Sequence, residues 1–300
     1  MLENWTEIAG LLAALCWAIG GMIYSRLPAS AGALNLGKNL LGSIFLGLVI
    51  VAFAKERTAL LGLSTAAILW LGASGVVGLL IGDASFLRSL QLLGPRRALI
   101  LSTLVPVFSA ILGWTLLAEV LSQEKLIAIA VTMIGVAVVI RERAGTADSS
   151  SPGGSPLAGI LHGVNASLCQ AVGIALARYG MEELEAVSPV ASFVRLAIAT
   201  VLGAGLALFA GKLGPWTRTL TAPGVRWKLV VASLIGTFLG IWLSLIAVGV
   251  LPLAVAGTQT STTPIFMTIL VVVIWRERIS LFAWLGTLVA FVGVVMLLSS

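Results

Sequence analysis

The stretch 78–140 of this chain is written a second time, with many side chains changed, as 236–298, at a constant shift of 158 residues. The shift lays Gly78 on Gly236, Gly82 on Gly240, Pro106-Val107-Phe108 on Pro264-Ile265-Phe266, Glu119 on Glu277, Ser122 on Ser280 and Gly135-Val136 on Gly293-Val294. Upstream the register slips slightly. Leu15-Cys16-Trp17-Ala18-Ile19-Gly20 falls on Leu168-Cys169-Gln170-Ala171-Val172-Gly173, and Lys38 falls on Arg195. The chain is therefore two copies of one unit, and composition fixes the solvent in which that unit folds. With 59% hydrophobic residues, 10% charged and a mean hydropathy of +1.10, too little polar surface exists to coat a water-facing globule.

A span needs about 20 mostly apolar residues to cross a hydrocarbon core of about 30 Å. Ten such runs can be placed: 8–24, 33–53, 66–90, 98–117 and 125–140 in the first repeat, then 157–179, 189–210, 228–248, 253–275 and 281–298 in the second. Five spans per copy is an odd number, so the second copy enters the bilayer from the opposite side. Inverted repeats of this kind are characteristic of secondary transporters. The expected fold is an all-α membrane protein with ten transmembrane helices in two inverted five-helix repeats, 1–143 and 157–300, joined by a flexible linker at 144–156 rich in Gly, Ser and Pro. An even number of spans puts both termini on one side. Outside the spans, twelve basic residues lie on the side opposite the N-terminus and four on its own side, which by the positive-inside rule turns both termini outward.

The net charge of +6 sits in short connectors such as Arg96-Arg97 and Arg141-Glu142-Arg143, without a basic face, so no nucleic-acid partner is expected. Cys16 and Cys169 occupy matched apolar positions and lack CxxC or Cys/His spacing; no metal or other cofactor is expected. Glu3 and Glu7 precede the first apolar run in place of a basic region, so that run is expected to remain as a helix. The expected partners are the lipid bilayer and a small-molecule substrate, and a monomer suffices.

Two five-span halves, an apolar span closing on Glu119 and again on Glu277, and the paired motifs PVFSAILGWTLLAE and PIFMTILVVVIWRE together resemble the EamA-type branch of the drug/metabolite transporter superfamily. The resemblance implies a secondary transporter, commonly an exporter of amino acids or related metabolites across a bacterial inner membrane, with a central cavity between the halves. It leaves sugars, nucleotide-linked compounds and drugs open as substrates.

An ionisable group at the centre of a span costs about 2.5–3.5 kcal/mol on insertion scales and so needs a reason to be there. Lys38 and Arg195, repeat mates inside the second and seventh spans, are either cavity cations for an anionic substrate group or structural cations that snorkel. Asp83 has Ile241 as its repeat mate. It can hold a substrate ammonium, carry a proton, or neutralise Lys38 or Arg88. His162 can relay protons or simply hydrogen-bond near the interface; Asn165 and Gln170, on the same span, are further candidates for the substrate cavity. Ser102-Thr103 precedes Pro106, and Thr258-Gln259-Thr260-Ser261-Thr262-Thr263 precedes Pro264. The prolines are expected to kink their helices and free carbonyls, so Ser102, Thr103, Gln259 and Thr260 are candidates for lining a wet cavity, with close helix packing as the alternative. Trp17 and Trp242 lie deep in spans, where an indole can cover a ligand or pack in the core.

There is no GxxxxGK[ST] stretch and no extramembrane domain to hydrolyse a nucleotide. Scattered acids and a single histidine are a poor inventory for a membrane enzyme. A secondary transporter working by alternating access is the reading these residues favour.

Overall fold

The structure is a computed structural model and describes residues 6–24, 26–102, 104–142, 156–182, 189–275 and 281–299. The first repeat contains α1 (Ala9–Tyr24), α2 (Ala31–Ala52), α3 (Ala54–Leu61), α4 (Thr65–Ser74), a π-helix (Gly75–Gly82), α5 (Asp83–Ser102), α6 (Val105–Leu117) and α7 (Gln123–Glu142). The second contains α8 (Pro156–Gly180), α9 (Pro189–Phe209), α10 (Leu213–Thr221), α11 (Pro223–Ala232), a second π-helix (Ser233–Leu239), α12 (Gly240–Val250), α13 (Leu253–Thr260), α14 (Thr263–Trp275) and α15 (Leu281–Ser299). Among the described residues every regular element is helical, and six helices are long and apolar enough to cross a membrane. Helical segments also occupy the positions of the remaining four expected spans. The protein is an all-α membrane protein.

Local signals explain the ends. The Ser30 and Ser64 hydroxyls accept the Ala33 and Ala67 amides at 3.3 and 3.1 Å and so start α2 and α4. Pro106 and Pro264 each lie within the first two residues of α6 and α14, where a missing N–H costs least, and the fourth and ninth spans are each divided there into two helices.

Between the third and fourth spans the expected connector stays helical within α5, yet the chain reverses. Leu93 packs against Gly159 of α8, whereas Leu101 packs against Gly163 and its carbonyl accepts the Ser167 hydroxyl at 2.8 Å. Farther on, the Leu116 carbonyl accepts the Tyr179 hydroxyl at 2.6 Å, so α6 climbs beside α8 in the direction opposite to α4. Short helices α3 and α10 occupy two connectors that carry no span; Trp216 of α10 lies on Gly32 of α2.

The halves meet through reciprocal contacts between repeat mates. A Cβ on Gly20 would stand 2.7 Å from the Gly236 Cα, and one on Gly173 would stand 2.9 Å from the Gly78 Cα. So the first span of each half crosses the third span of the other at a glycine pair, where only the absence of a side chain lets the backbones approach. Spans five and ten meet in the same manner: Gly135 faces Ala290, and Gly293 faces Thr132. The Ser43 and Thr200 hydroxyls of α2 and α9 stand 3.4 Å apart.

Candidate functional site

The polar side chains that sequence and fold bring together lie where α2, α5, α9 and the two π-helices converge. In a π-helix each N–H reaches back five residues, as the Asp83 amide does to the Gly78 carbonyl. That wider turn alters the face on which the following residues emerge. Asp83, the first residue beyond it, meets Lys38 of α2 with Oδ2 2.5 Å from Nζ, and Lys38 also donates to Asn39 Oδ1 at 3.0 Å. Asp83 keeps 27% side-chain exposure and Lys38 13%, so the pair is reachable from one side without being in bulk solvent. The π-helix leaves its own acceptors open as well. Asn35, one turn before Asn39, donates to the Leu79 carbonyl at 3.1 Å.

Arg195 stands behind this pair. It is 2% exposed, its Nε has no hydrogen-bond partner, and its Nη2 lies 3.5 Å from where a Gly78 Cβ would stand. Its main chain runs so close to Gly75 that an added Cβ would lie 2.2 Å from the Arg195 carbonyl oxygen. The stripe Gly75, Gly78, Gly82 is thus what admits α9 and α8 to the site: Gly82 meets Cys169 as Gly78 meets Gly173. Asp83 lies within electrostatic reach of Arg195 and of Tyr24.

The second π-helix supplies hydroxyls from the other half. Tyr24 Oη donates to Ser233 Oγ at 3.0 Å and lies 2.9 Å from Thr237 Oγ1, and Thr237 packs over Gly42, one turn along α2 from Lys38. Two cations, one carboxylate and a group of neutral hydroxyls and amides therefore gather between the repeats. Such a set can hold a small molecule bearing both charges, because every group has a counterpart of opposite sign or a hydrogen-bonding partner nearby.

Lys38, Asp83 and Arg195 are the sequence candidates that the fold unites. The others are placed elsewhere. Trp17 covers Gly240, and Trp242 packs at a tilt against Phe238, 5.9 Å between centroids, amid buried leucines. Asn165 donates to Ser85 Oγ at 3.0 Å and accepts from the Cys169 thiol; His162 lines a lateral groove, and Gln170 is half-buried on α8. Ser102 is half-buried at the end of α5, and Thr103 lies outside the described residues, as do Glu277 and most of the linker. Gln259 is fully buried against Gly10, its Nε2 donating to the Glu7 carbonyl at 2.7 Å. The Thr258, Thr260, Thr262 and Thr263 hydroxyls donate to the carbonyls of Ala254, Gly257, Gln259 and Thr260 at 2.6–3.0 Å, so they satisfy backbone at and beside the helix break.

Sequence reasoning missed Tyr24, Asn35, Asn39, Ser43, Thr200, Ser233 and Thr237. One signal was available: Asn35, Asn39 and Ser43 recur at four-residue spacing with Lys38 beside them, a polar stripe on an otherwise apolar span. Glu119 also gains a physical role. Its Oε2 accepts the Leu253 amide at 2.8 Å, capping α13, while Oε1 lies 3.8 Å from Arg178 Nη2. Arg178 in turn donates to the carbonyls of Val248 and Leu251 at the end of α12, the latter at 2.6 Å.

An all-helical membrane protein whose repeats enclose a charged cluster at a pseudo-twofold junction is built as a membrane transporter. The EamA-like transporter family model matches residues 4–141 and 157–299, and the chain belongs to that family, within the drug/metabolite transporter superfamily. An uncharacterized transporter of Archaeoglobus fulgidus is 27% identical over 297 residues, 97% of each chain. Protein LicB of Haemophilus influenzae is 31% identical over 137 residues, 44% of this chain and 46% of that one. A crystal structure of another protein shares the fold with a TM-score of 0.71 at 17% identity, covering 98% of this chain and 97% of that one.

Proposed function

We propose that the protein is a secondary exporter of amino acids or closely related zwitterionic metabolites in a cell inner membrane, working by alternating access, with both termini on the same side. The observation that carries this reading is the Lys38–Asp83 pair at 2.5 Å beside the buried Arg195. A zwitterion can exchange into such a pair: its carboxylate replaces Asp83 at Lys38, with Arg195 close behind, and its ammonium takes Asp83. Charges then remain paired throughout, which avoids the cost of several kcal/mol for a lone ion at membrane depth. Tyr24, Ser233, Thr237 and Asn39 supply neutral hydrogen bonds around the polar head. The glycine contacts between halves, Gly20 with Gly236 and Gly78 with Gly173, are smooth surfaces on which one group of helices can rock against the other.

The deciding experiment is counterflow into liposomes containing purified protein, with labelled amino acids beside sugars, nucleotides and a cationic dye, and with and without an imposed pH gradient. Saturable exchange of amino acids that falls at least about tenfold in Lys38→Met and Asp83→Asn, the loss expected when a buried charge partner is removed, supports the proposal. Preference for another class in the panel overturns the substrate while leaving the transporter.

A further inference from the structure

The repeats have matching helices, and one difference between them lies where their side chains meet the bilayer. Between the third and seventh spans runs an open groove of about 860 Å³, lined by Leu80, Ile81 and Ala84 of the first π-helix and α5, by Leu202 and Gly205 of α9, and at one end by His162 of α8. Among the described residues, Ser85 and His162 are its only polar lining residues. Gly205 faces open space, with nothing within 4 Å of an added Cβ.

The matching place in the other half, between the second and eighth spans, is filled. The alignment that lays Lys38 on Arg195 also lays Phe45 on Leu202 and Leu48 on Gly205, and the constant shift of the later spans lays Leu80 on Phe238 and Ala84 on Trp242. Phe238 meets Phe45 edge-to-face and Trp242 at a tilt, with centroids 6.0 and 5.9 Å apart. One half thus carries three aromatic rings at positions where its mate carries Leu202, Leu80 and Ala84. Helix packing common to both halves does not require that difference.

We infer that the groove between spans three and seven is a binding site for one hydrocarbon chain of a membrane lipid. The occupant follows from where the groove opens. Val201 at 69%, Leu206 at 61% and Phe209 at 93% exposure continue it onto the apolar outer surface of a membrane-spanning bundle, where the neighbouring material is acyl chain. The Lys38–Asp83 pair is not among its lining residues, so the groove is separate from the charged site. His162 and Ser85, with Asn165 bonded to the latter, close its polar end and hold no part of the charged cluster.

The test places the full-length protein in lipid nanodiscs containing a phosphatidylcholine with a diazirine near the end of its acyl chain, followed by photolysis and mapping of labelled residues. Label is expected to concentrate on 76–85 and 201–209 over the equally exposed face of α15. Gly205→Phe and, separately, Ala84→Phe should lower groove labelling about threefold or more, because the space becomes occupied as it is in the other half, while α15 labelling stays constant. Evenly spread label in the native protein, or groove labelling unchanged in both filled variants with unaltered thermal unfolding, overturns the site. Loss of label on adding millimolar amino acid, or any other solute that the counterflow panel identifies, assigns the groove to the transported molecule and overturns the lipid. A native-protein map that concentrates in the groove supports the inference even if one filled variant fails to fold.

Discussion

At the scale of single residues, glycine positions in this protein divide sharply by what stands over them. Gly75 has the Arg195 main chain 2.2 Å from where a Cβ would sit, and a backbone atom cannot rotate aside. Gly75→Ala is expected to destabilise the protein by about 1–3 kcal/mol, as overpacking does, and to displace Arg195 from the charged cluster. Gly205→Ala, with open space above it, should leave thermal unfolding in detergent within about 0.5 kcal/mol of the parent, apart from the small gain a helix makes on losing a glycine. Equal effects at the two positions would contradict the packing described. Asp83 poses a different question. Asp83→Asn keeps the shape of the side chain but leaves Lys38 Nζ without its carboxylate, so flux should fall by at least about tenfold. If the remaining flux keeps the parent's pH dependence, Asp83 binds substrate and carries no proton; a lost pH dependence assigns it the proton.

Among the elements, the junction of α12 and α13 shows how a break in a span is made tolerable. Pro252 stands between them and contributes no N–H, so the end carbonyls of α12 need donors and the first amide of α13 needs an acceptor. Arg178 and Glu119 meet these needs from α8 and from the residue pair after α6. Ala118 adopts a left-handed φ of 51°, which turns the chain so that the Glu119 carboxylate folds back over Gly113. Arg178→Met is expected to cost about 1–3 kcal/mol, since two partly buried carbonyls lose a charged donor, whereas Glu119→Gln should cost less because its amide oxygen can still accept the Leu253 N–H. Chemical-denaturant or thermal unfolding of the two variants side by side checks the order. The spans themselves were legible because about 20 apolar residues are a local property of the chain, and so were the breaks at Pro106 and Pro264. Helices α3 and α10 were not, because short polar connectors carry no span-length signal and gain their order by packing, as Trp216 does on Gly32. The polar run 258–263 was legible as unusual, but its role depended on which carbonyls lay within reach.

For the whole molecule, inversion of the repeats makes a topological prediction. Lys55 and Lys212 are repeat mates, both exposed in the short connectors after the second and seventh spans. In a variant with Cys16 and Cys169 replaced by serine, Lys55→Cys and Lys212→Cys should react with a membrane-impermeant thiol reagent from opposite sides of the membrane. Modification of both from one side would refute inverted halves. By itself the sequence determined the lipid solvent, the repeat, the positions of the apolar helices and the places where helices break, because each depends on residues near one another in the chain. The tertiary structure decided which polar groups share a site: Lys38 and Asp83 are 45 residues apart, and the π-helix before Asp83 changes the face it presents in a way that a 3.6-residue period does not encode. It also decided that Gln259 is buried against α1 while Tyr24 and Thr237 stand near the charges, since burial and facing depend on the packing of the opposite half.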